Sequence, residues 1–370
     1  MTQTKTYERQ ERQHLTAVWR NGGFSASYDS FVVGSSAVLR LNFCAKNPPL
    51  RQAANRYAQL FLNTMNKFQA FEILKEYSNN LKNIPYEEIY SLLKNGIKQI
   101  PIPLAKIKKG AYIDRVRKNN GNSLFNSIDE LGYIKNQEII EKYLTSFGRA
   151  NCPHQVLFYG AVETSQIDKQ RLTAIAETSS LFRIPNQNCI DGEYYTVSRW
   201  ETLEEFLVVE VVFSEFALAN NKDIQTSYEK QKEFLNNKGL QDEEIQFHLD
   251  FLKFISEQFS KKVDDPDDYK ISVAYTNIAL LHPDVKGISY PSVQTEYFGV
   301  NLVLTPNTVD DFLKPIICST QKIYKNGLNT LIANGEHYCD NIDVNKEIEW
   351  KENDKSLITD YEEVKKHLKL

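Results

Sequence analysis

The run at residues 206–213, FLVVEVVF, is rich in β-branched and aromatic side chains, a composition that predicts a strand. Soon after it, from Lys222 to about Leu281, the pattern becomes helical, with Phe247, Phe251, Phe254, Ile255 and Phe259 recurring at helical spacing. A chain holding both must pack helices on a sheet, so the expected fold class is mixed α/β. Further strand-like runs lie at residues 111–117, 156–162, 287–292, 301–305 and 314–323, and a helix is expected over about 168–182. Upstream, residues 50–96 read as helical. Pro85 suits a first turn, Ile89, Leu92 and Leu93 share a face, and Gly96 follows as the C′ residue. Pro101 and Pro103 punctuate the change of character, and the charged tail from Lys346 to Leu370 suits a terminal helix.

With 370 residues, 41% of them hydrophobic, the chain can bury one large core or two unequal ones. Its 48 acidic and 44 basic residues leave a formal charge of −4, which provides no global field for nucleic acid or an anionic membrane. The five cysteines (Cys44, Cys152, Cys189, Cys318 and Cys339) lack paired spacing and read as free thiols in a reducing compartment. His154, His248, His282 and His337 show no metal-binding spacing, so no metal is expected. Residues 1–20 are polar and charged, and no run approaches the roughly 18 apolar residues of a membrane span, so a soluble cytoplasmic protein is expected. Neither a G-x-G-x-x-G nor a P-loop is present, which argues against nucleotide binding in the Rossmann manner. The short basic run of Lys106, Lys108 and Lys109 either steers an anionic ligand or, the plainer reading, is a solvated loop.

Four stretches occur in an order that resembles the RES domain, named after its recurrent Arg, Glu and Ser. They are Arg115-Val116-Arg117, Gly148-Arg149-Ala150-Asn151 with Pro153, Thr173-Ala174-Ile175-Ala176-Glu177, and Tyr290-Pro291-Ser292-Val293. The strand-like VLFYGA at 156–161 stands between the second and third, and Gly299-Val300-Asn301-Leu302 follows the last. The resemblance covers roughly residues 107–323. It implies a sheet core like that of the ADP-ribosyltransferases and cleavage of the nicotinamide N-glycosidic bond of NAD⁺, with NAD⁺ as substrate and water or inorganic phosphate as acceptor. It also implies a toxin or phage-defence role, with an inhibitor or antitoxin protein as partner and possible self-association. The division that follows is a mainly helical region at 1–104, a RES catalytic domain at 105–325 with a helical insertion at about 222–281, and a C-terminal extension at 326–370. Two departures stand out: the chain is much longer than the compact toxins, and Cys152 and His154 occupy a loop where the family usually has a glycine close to His154.

The chemistry explains the residue types. Cleavage releases neutral nicotinamide and leaves positive charge on the ribose, which a carboxylate in a water-poor cleft stabilises. Glu177 is the candidate, because Leu172, Ile175 and Ala176 define the core face of its helix and leave it on the flank. A pyrophosphate favours planar guanidinium groups, for which Arg115 and Arg149 are the candidates. Arg117 shares a strand face with Arg115 and reaches the cleft with it or is a solvated side chain. Tyr159 either contacts the nicotinamide side or packs in the core, and Asn151 joins the binding set. Ser292 orients the sugar or is an ordinary turn serine. The alternatives are ADP-ribosyl transfer to a macromolecule and a non-catalytic binding protein on the same scaffold.

Overall fold

The computed structural model describes residues 16–18, 65–184 and 186–370; residues 50–64 of the expected helical stretch, and Cys44, lie outside them. The strands are β1 (Thr16–Val18), β2 (Pro101–Ile107), β3 (Tyr112–Lys118), β4 (Phe158–Val162), β5 (Cys189–Thr202), β6 (Phe206–Glu210), β7 (Val285–Pro291), β8 (Val300–Leu304), β9 (Leu313–Asn326), β10 (Asn329–Cys339) and β11 (Lys351–Glu352). Among the described residues they form an eleven-stranded sheet in the order β1-β2-β6-β7-β8-β4-β3-β5-β9-β10-β11. The helices that matter below are α1 (Lys67–Tyr77), α2 (Tyr86–Ser91), α3 (Gln170–Thr178), α4 (Lys222–Asn236), α5 (Asp242–Ser260), α6 (Lys270–Ala279) and α7 (Tyr361–Leu368). The fold is mixed α/β. Among the described residues no helix is long and apolar enough to cross a membrane.

One strand pair, β6 with β7, is parallel, and the others are antiparallel. Parallel neighbours cannot be joined by a tight turn and need a crossover. The helical stretch α4–α6 is that crossover. Its apolar face, with Phe247, Phe251, Phe254, Ile255 and Phe259 buried as their spacing predicts, packs in one cluster with Phe71, Leu74, Ile89, Leu92 and Leu93 of the preceding helical segment and with Ile288, Tyr290 and Val303 of the sheet. The Phe71 ring meets those of Phe247, Phe251 and Phe254 edge-on at 5.7, 5.5 and 5.5 Å. The buried Lys270 ammonium donates to the carbonyls of Leu81 and Ile84, each at 2.9 Å, and pairs with Asp267 at 3.2 Å. Residues 65–100 and the crossover therefore share a core.

The two faces of β3 and β4 serve different cores. Ile113 and Phe158 pack with Trp200, Leu302 and Leu304 on one side, whereas Val116 and Ala161 pack under Ala174 and Ile175 of α3 on the other. The sequence-based boundary at 104 falls inside β2 and that at 325 inside β9. Beyond the latter, β10 continues the sheet, and α7 docks Val364 and Leu368 on Tyr324 and Ala333. Four local expectations differ from the structure, the first being the tail, which is α-helical only over Tyr361–Leu368 and forms β11 before that. Pro101 and Pro103 lie within β2, opposite β1, and the ladder with β6 begins at Leu104, after these residues that cannot donate. Gly96 does not end its helix: the chain winds on as a π-turn over Leu92–Ile97, and Lys98 turns the chain with φ 64° and ψ −43°. The long strands β5 and β10 were not anticipated.

Phe251→Ala should cost about 3–5 kcal/mol. If α1 and α5 share one core, urea unfolding followed by a probe on each should show the same shift; separate transitions would reject that unity.

Candidate functional site

Helix α3 ends at Thr178 because Ser179 is extended, with φ −83° and ψ 126°, and its hydroxyl accepts from the Leu181 amide to start a separate turn at Ser180–Arg183. The single helix expected to residue 182 is thus broken. The break leaves Glu177 in the last turn of α3, half-buried beside the sheet. Its Oε1 accepts from Ser292 Oγ at 2.6 Å and from Asn301 Nδ2 at 2.9 Å. Asn301 lies on β8 opposite Tyr290 of the antiparallel β7, and Ser292 directly follows the end of β7. The loop between them is closed by Ser292 N–H to Gly299 O and Tyr297 N–H to Ser292 O, both at 2.8 Å, with Glu296 and Tyr297 at φ 51° and 70°. Asn221 Nδ2 braces the loop from the crossover side through the Tyr297 and Phe298 carbonyls. Gly299 permits the close approach of α3, since a Cβ there would sit 2.2 Å from Thr173 Oγ1.

Glu177 borders a cavity of about 730 Å³, within the roughly 300–1,000 Å³ of small-molecule sites. Arg149, Asn151, Tyr159, Tyr269, Tyr290, Gln294 and Asn301 line it, with Phe182, Arg183, Lys262 and Asp264 also on its walls. Tyr159 OH donates to Asn151 Oδ1 at 2.6 Å and accepts from the Ala150 amide at 3.3 Å, so the phenol holds the 148–151 loop. Burial pushes the Tyr159 phenol far above its usual range, which keeps the proton that makes the first of these bonds. Arg149 Nη1 donates to the carbonyls of Phe259 at 2.6 Å and Lys261 at 3.0 Å, and Nη2 to Tyr269 OH at 3.3 Å. The same guanidinium lies 4.8 Å from the Tyr269 ring centre, which makes it a bracket between the 148–151 loop and the end of α5.

The expectation that Arg115 and Arg117 reach the cleft is corrected. They do share a face of β3, but it is the opposite one, and neither lines the cavity, whereas Val116 between them does. Arg115 lies 5.0 Å from the Phe158 ring centre and donates from Nη1 to the Tyr159 carbonyl at 2.7 Å. Burial, with a smaller push from the Arg117 charge, lowers its pKa to about 9, which still leaves it protonated at neutral pH. Arg117 donates to the Glu130 carbonyl beneath Phe125. Alternation alone could not decide which face of β3 carries α3.

The structure brings together Glu177, Ser292, Arg149, Asn151 and Tyr159. It adds Asn301, Tyr269, Tyr290, Arg183 and Lys262, to which sequence reasoning gave no role. The signal for Asn301 was its lone amide in the apolar strand VNLVL; for Arg183 and Lys262 there was none. His154 resolves the departure in the adjoining loop: it adopts φ 61°, the conformation for which glycine is suited, and its amide donates to Leu144 O at 2.6 Å. Among the described residues no group of three or more His, Cys, Asp or Glu side chains could hold a metal ion. No protein-family model matches the chain, and no curated protein matches it significantly.

Gly148 is tested by adding one methyl group, because a Cβ there would lie 2.3 Å from Asn151 Oδ1, the acceptor of the Tyr159 hydroxyl. Gly148→Ala should therefore destabilise the protein by about 1–3 kcal/mol. Tyr159→Phe should cost about 1 kcal/mol in the parent and little in the alanine background. Strictly additive losses in denaturant titrations would show that the methyl leaves this hydrogen bond intact.

Proposed function

We propose that the chain is a RES-type enzyme, related in fold to ADP-ribosyltransferases, that cleaves the nicotinamide N-glycosidic bond of NAD⁺. The observation that carries this reading is the Glu177 carboxylate, fixed by Ser292 and Asn301 through one oxygen at the wall of a cavity of about 730 Å³. Neutral donors orient it without cancelling its charge. Among the described residues the second oxygen, Oε2, has no hydrogen-bond partner and is left to the substrate.

The C1′–N bond breaks with its electron pair going to the pyridinium nitrogen, so nicotinamide leaves neutral and C1′ becomes cationic. Glu177 stabilises that charge. Attack by water at C1′, with release of its proton, gives ADP-ribose; attack by inorganic phosphate gives a phosphorylated ADP-ribose. Tyr159 and Tyr290 form an aromatic wall suited to a planar ring. Ser292, in this reading, positions the carboxylate rather than the sugar. The order of the RES-like stretches supports the assignment, since the stretches around Arg149, Glu177 and Ser292 meet at one cavity. An NAD⁺-draining enzyme needs restraint in its own cell. The proposal therefore extends to a cytoplasmic toxin or defence effector, held in check by an inhibitor or antitoxin protein.

Glu177→Gln should lower nicotinamide release at least about a hundredfold, or about 2.7 kcal/mol of transition-state stabilisation, while ADP-ribose affinity stays within about threefold. Full turnover in the folded variant would remove Glu177 from catalysis, and no nicotinamide release by the parent protein would sink the reading.

A further inference from the structure

We propose that Arg183 and Lys262, facing the cavity from α3's side and from the crossover respectively, form the seat for the substrate's pyrophosphate. This assignment rests on the NAD⁺ reading above. It moves the anion site away from the arginines that the RES-like pattern suggests.

Three cationic side chains line the cavity: Arg149, Arg183 and Lys262. Arg149 is largely engaged, because Nη1 has spent both its hydrogens on the Phe259 and Lys261 carbonyls and Nη2 donates to Tyr269. Its Nη1 edge is therefore closed to a ligand unless the end of α5 is released, and what it keeps for one is Nε and the second Nη2 hydrogen, beside Tyr269. Arg115 lies on the other face of the sheet. Arg183 and Lys262 keep more of their donors unused, on walls that also carry the carboxylates of Glu177 and Asp264.

Arg183 makes one hydrogen bond among the described residues, from Nη1 to the Glu177 carbonyl at 3.3 Å. That bond sets its guanidinium beside the residue proposed to act on C1′, with Nε and Nη2 left to face an anion. Lys262 has no hydrogen bond or ion pair among the described residues, although its surroundings are acidic. Its neighbours are consumed: Lys261 donates to Gln258 at 2.6 Å, Lys82 pairs with Asp265 at 3.1 Å, and Lys270 with Asp267 at 3.2 Å. Lys262 is exposed at the cavity wall, where its ammonium can meet a ligand anion. The chemistry of a dinucleotide suits cations on the same cavity as the carboxylate, since the pyrophosphate hangs from C5′ of the same ribose whose C1′ carries nicotinamide. The anion seat must then lie one sugar away from the carboxylate, and Arg183 follows Glu177 across a single break in the helix.

The same seat chemistry could serve free inorganic phosphate, the alternative acceptor, so the test has an arm for each source. Calorimetry on the full-length protein uses ADP-ribose and, separately, inorganic phosphate as titrants, with Arg183→Gln, Lys262→Gln and the double variant. Each single variant should weaken ADP-ribose binding about tenfold and the double variant by more than either, with melting temperatures unchanged. Lys142→Gln, on the surface away from the cavity, controls for general charge loss. Unchanged ADP-ribose affinity in the double variant overturns the seat and leaves the NAD⁺ reading standing. Loss of inorganic phosphate binding alone, with ADP-ribose unaffected, overturns it too and assigns the pair to the acceptor. Failure of the parent protein to bind ADP-ribose at all overturns the NAD⁺ reading, and the seat with it.

Discussion

The candidate site depends on a cation at the end of a helix. The last carbonyls of α5 have no partners within the helix and form the negative end of its dipole. Arg149 collects two acceptors there, the Phe259 and Lys261 carbonyls, and Ser272 Oγ returns a bond to the Arg149 carbonyl at 2.7 Å. This clasp joins the 148–151 loop to residues 261–272, so one wall of the cavity belongs to the crossover rather than to the sheet. Lys270 carries the connection onward to the backbone at 81–84. Side-chain cations bonded to carbonyl oxygens thus lead from the sheet to the N-terminal helices.

The carboxylate opposite is held by a contrasting logic. Asp114, fully buried on β3, gives both oxygens to the Arg199 fork at 2.7 Å each, and such a pair is structural because neither oxygen is left over. Glu177 is oriented through one oxygen by a hydroxyl and an amide. Neutral donors fix direction at a smaller electrostatic cost to the charge, which suits a group whose work is to meet a developing cation.

Much of this was legible in the sequence, and the remainder failed for identifiable reasons. The aromatic spacing of α5 and the strands β3, β4, β6 and β8 follow from periodicity, because each is set by which side must be buried; the core face expected for α3 is corrected, since Leu172 is exposed and Thr173 and Ala174 are buried with Ile175 and Ala176. The faces of β3 were not legible: Arg115 and Arg117 alternate with Val116 whichever side carries α3. β5 was missed because Asp191 and Gly192 interrupt its start and polar residues alternate through CIDGEYYTVSRWET. Pro101 and Pro103 gave a false stop, since their position before the β6-paired part of β2 is a tertiary fact. Arg183 and Lys262 lie in turns whose place beside the cavity is fixed by contacts from distant parts of the chain, and no local pattern announces that.

The core shared by α1, α2 and the crossover also bears on how such a protein can change over time. A chain lacking only the crossover helices would present Phe71, Leu74 and Leu92 to water, and one lacking only the N-terminal helices would strip the cover from Phe247, Phe251 and Phe254. Either loss bares a contiguous apolar face, the kind of surface that drives association. The two segments, more than a hundred residues apart in sequence, therefore cover one another, and a change of side-chain volume in either is felt by the other.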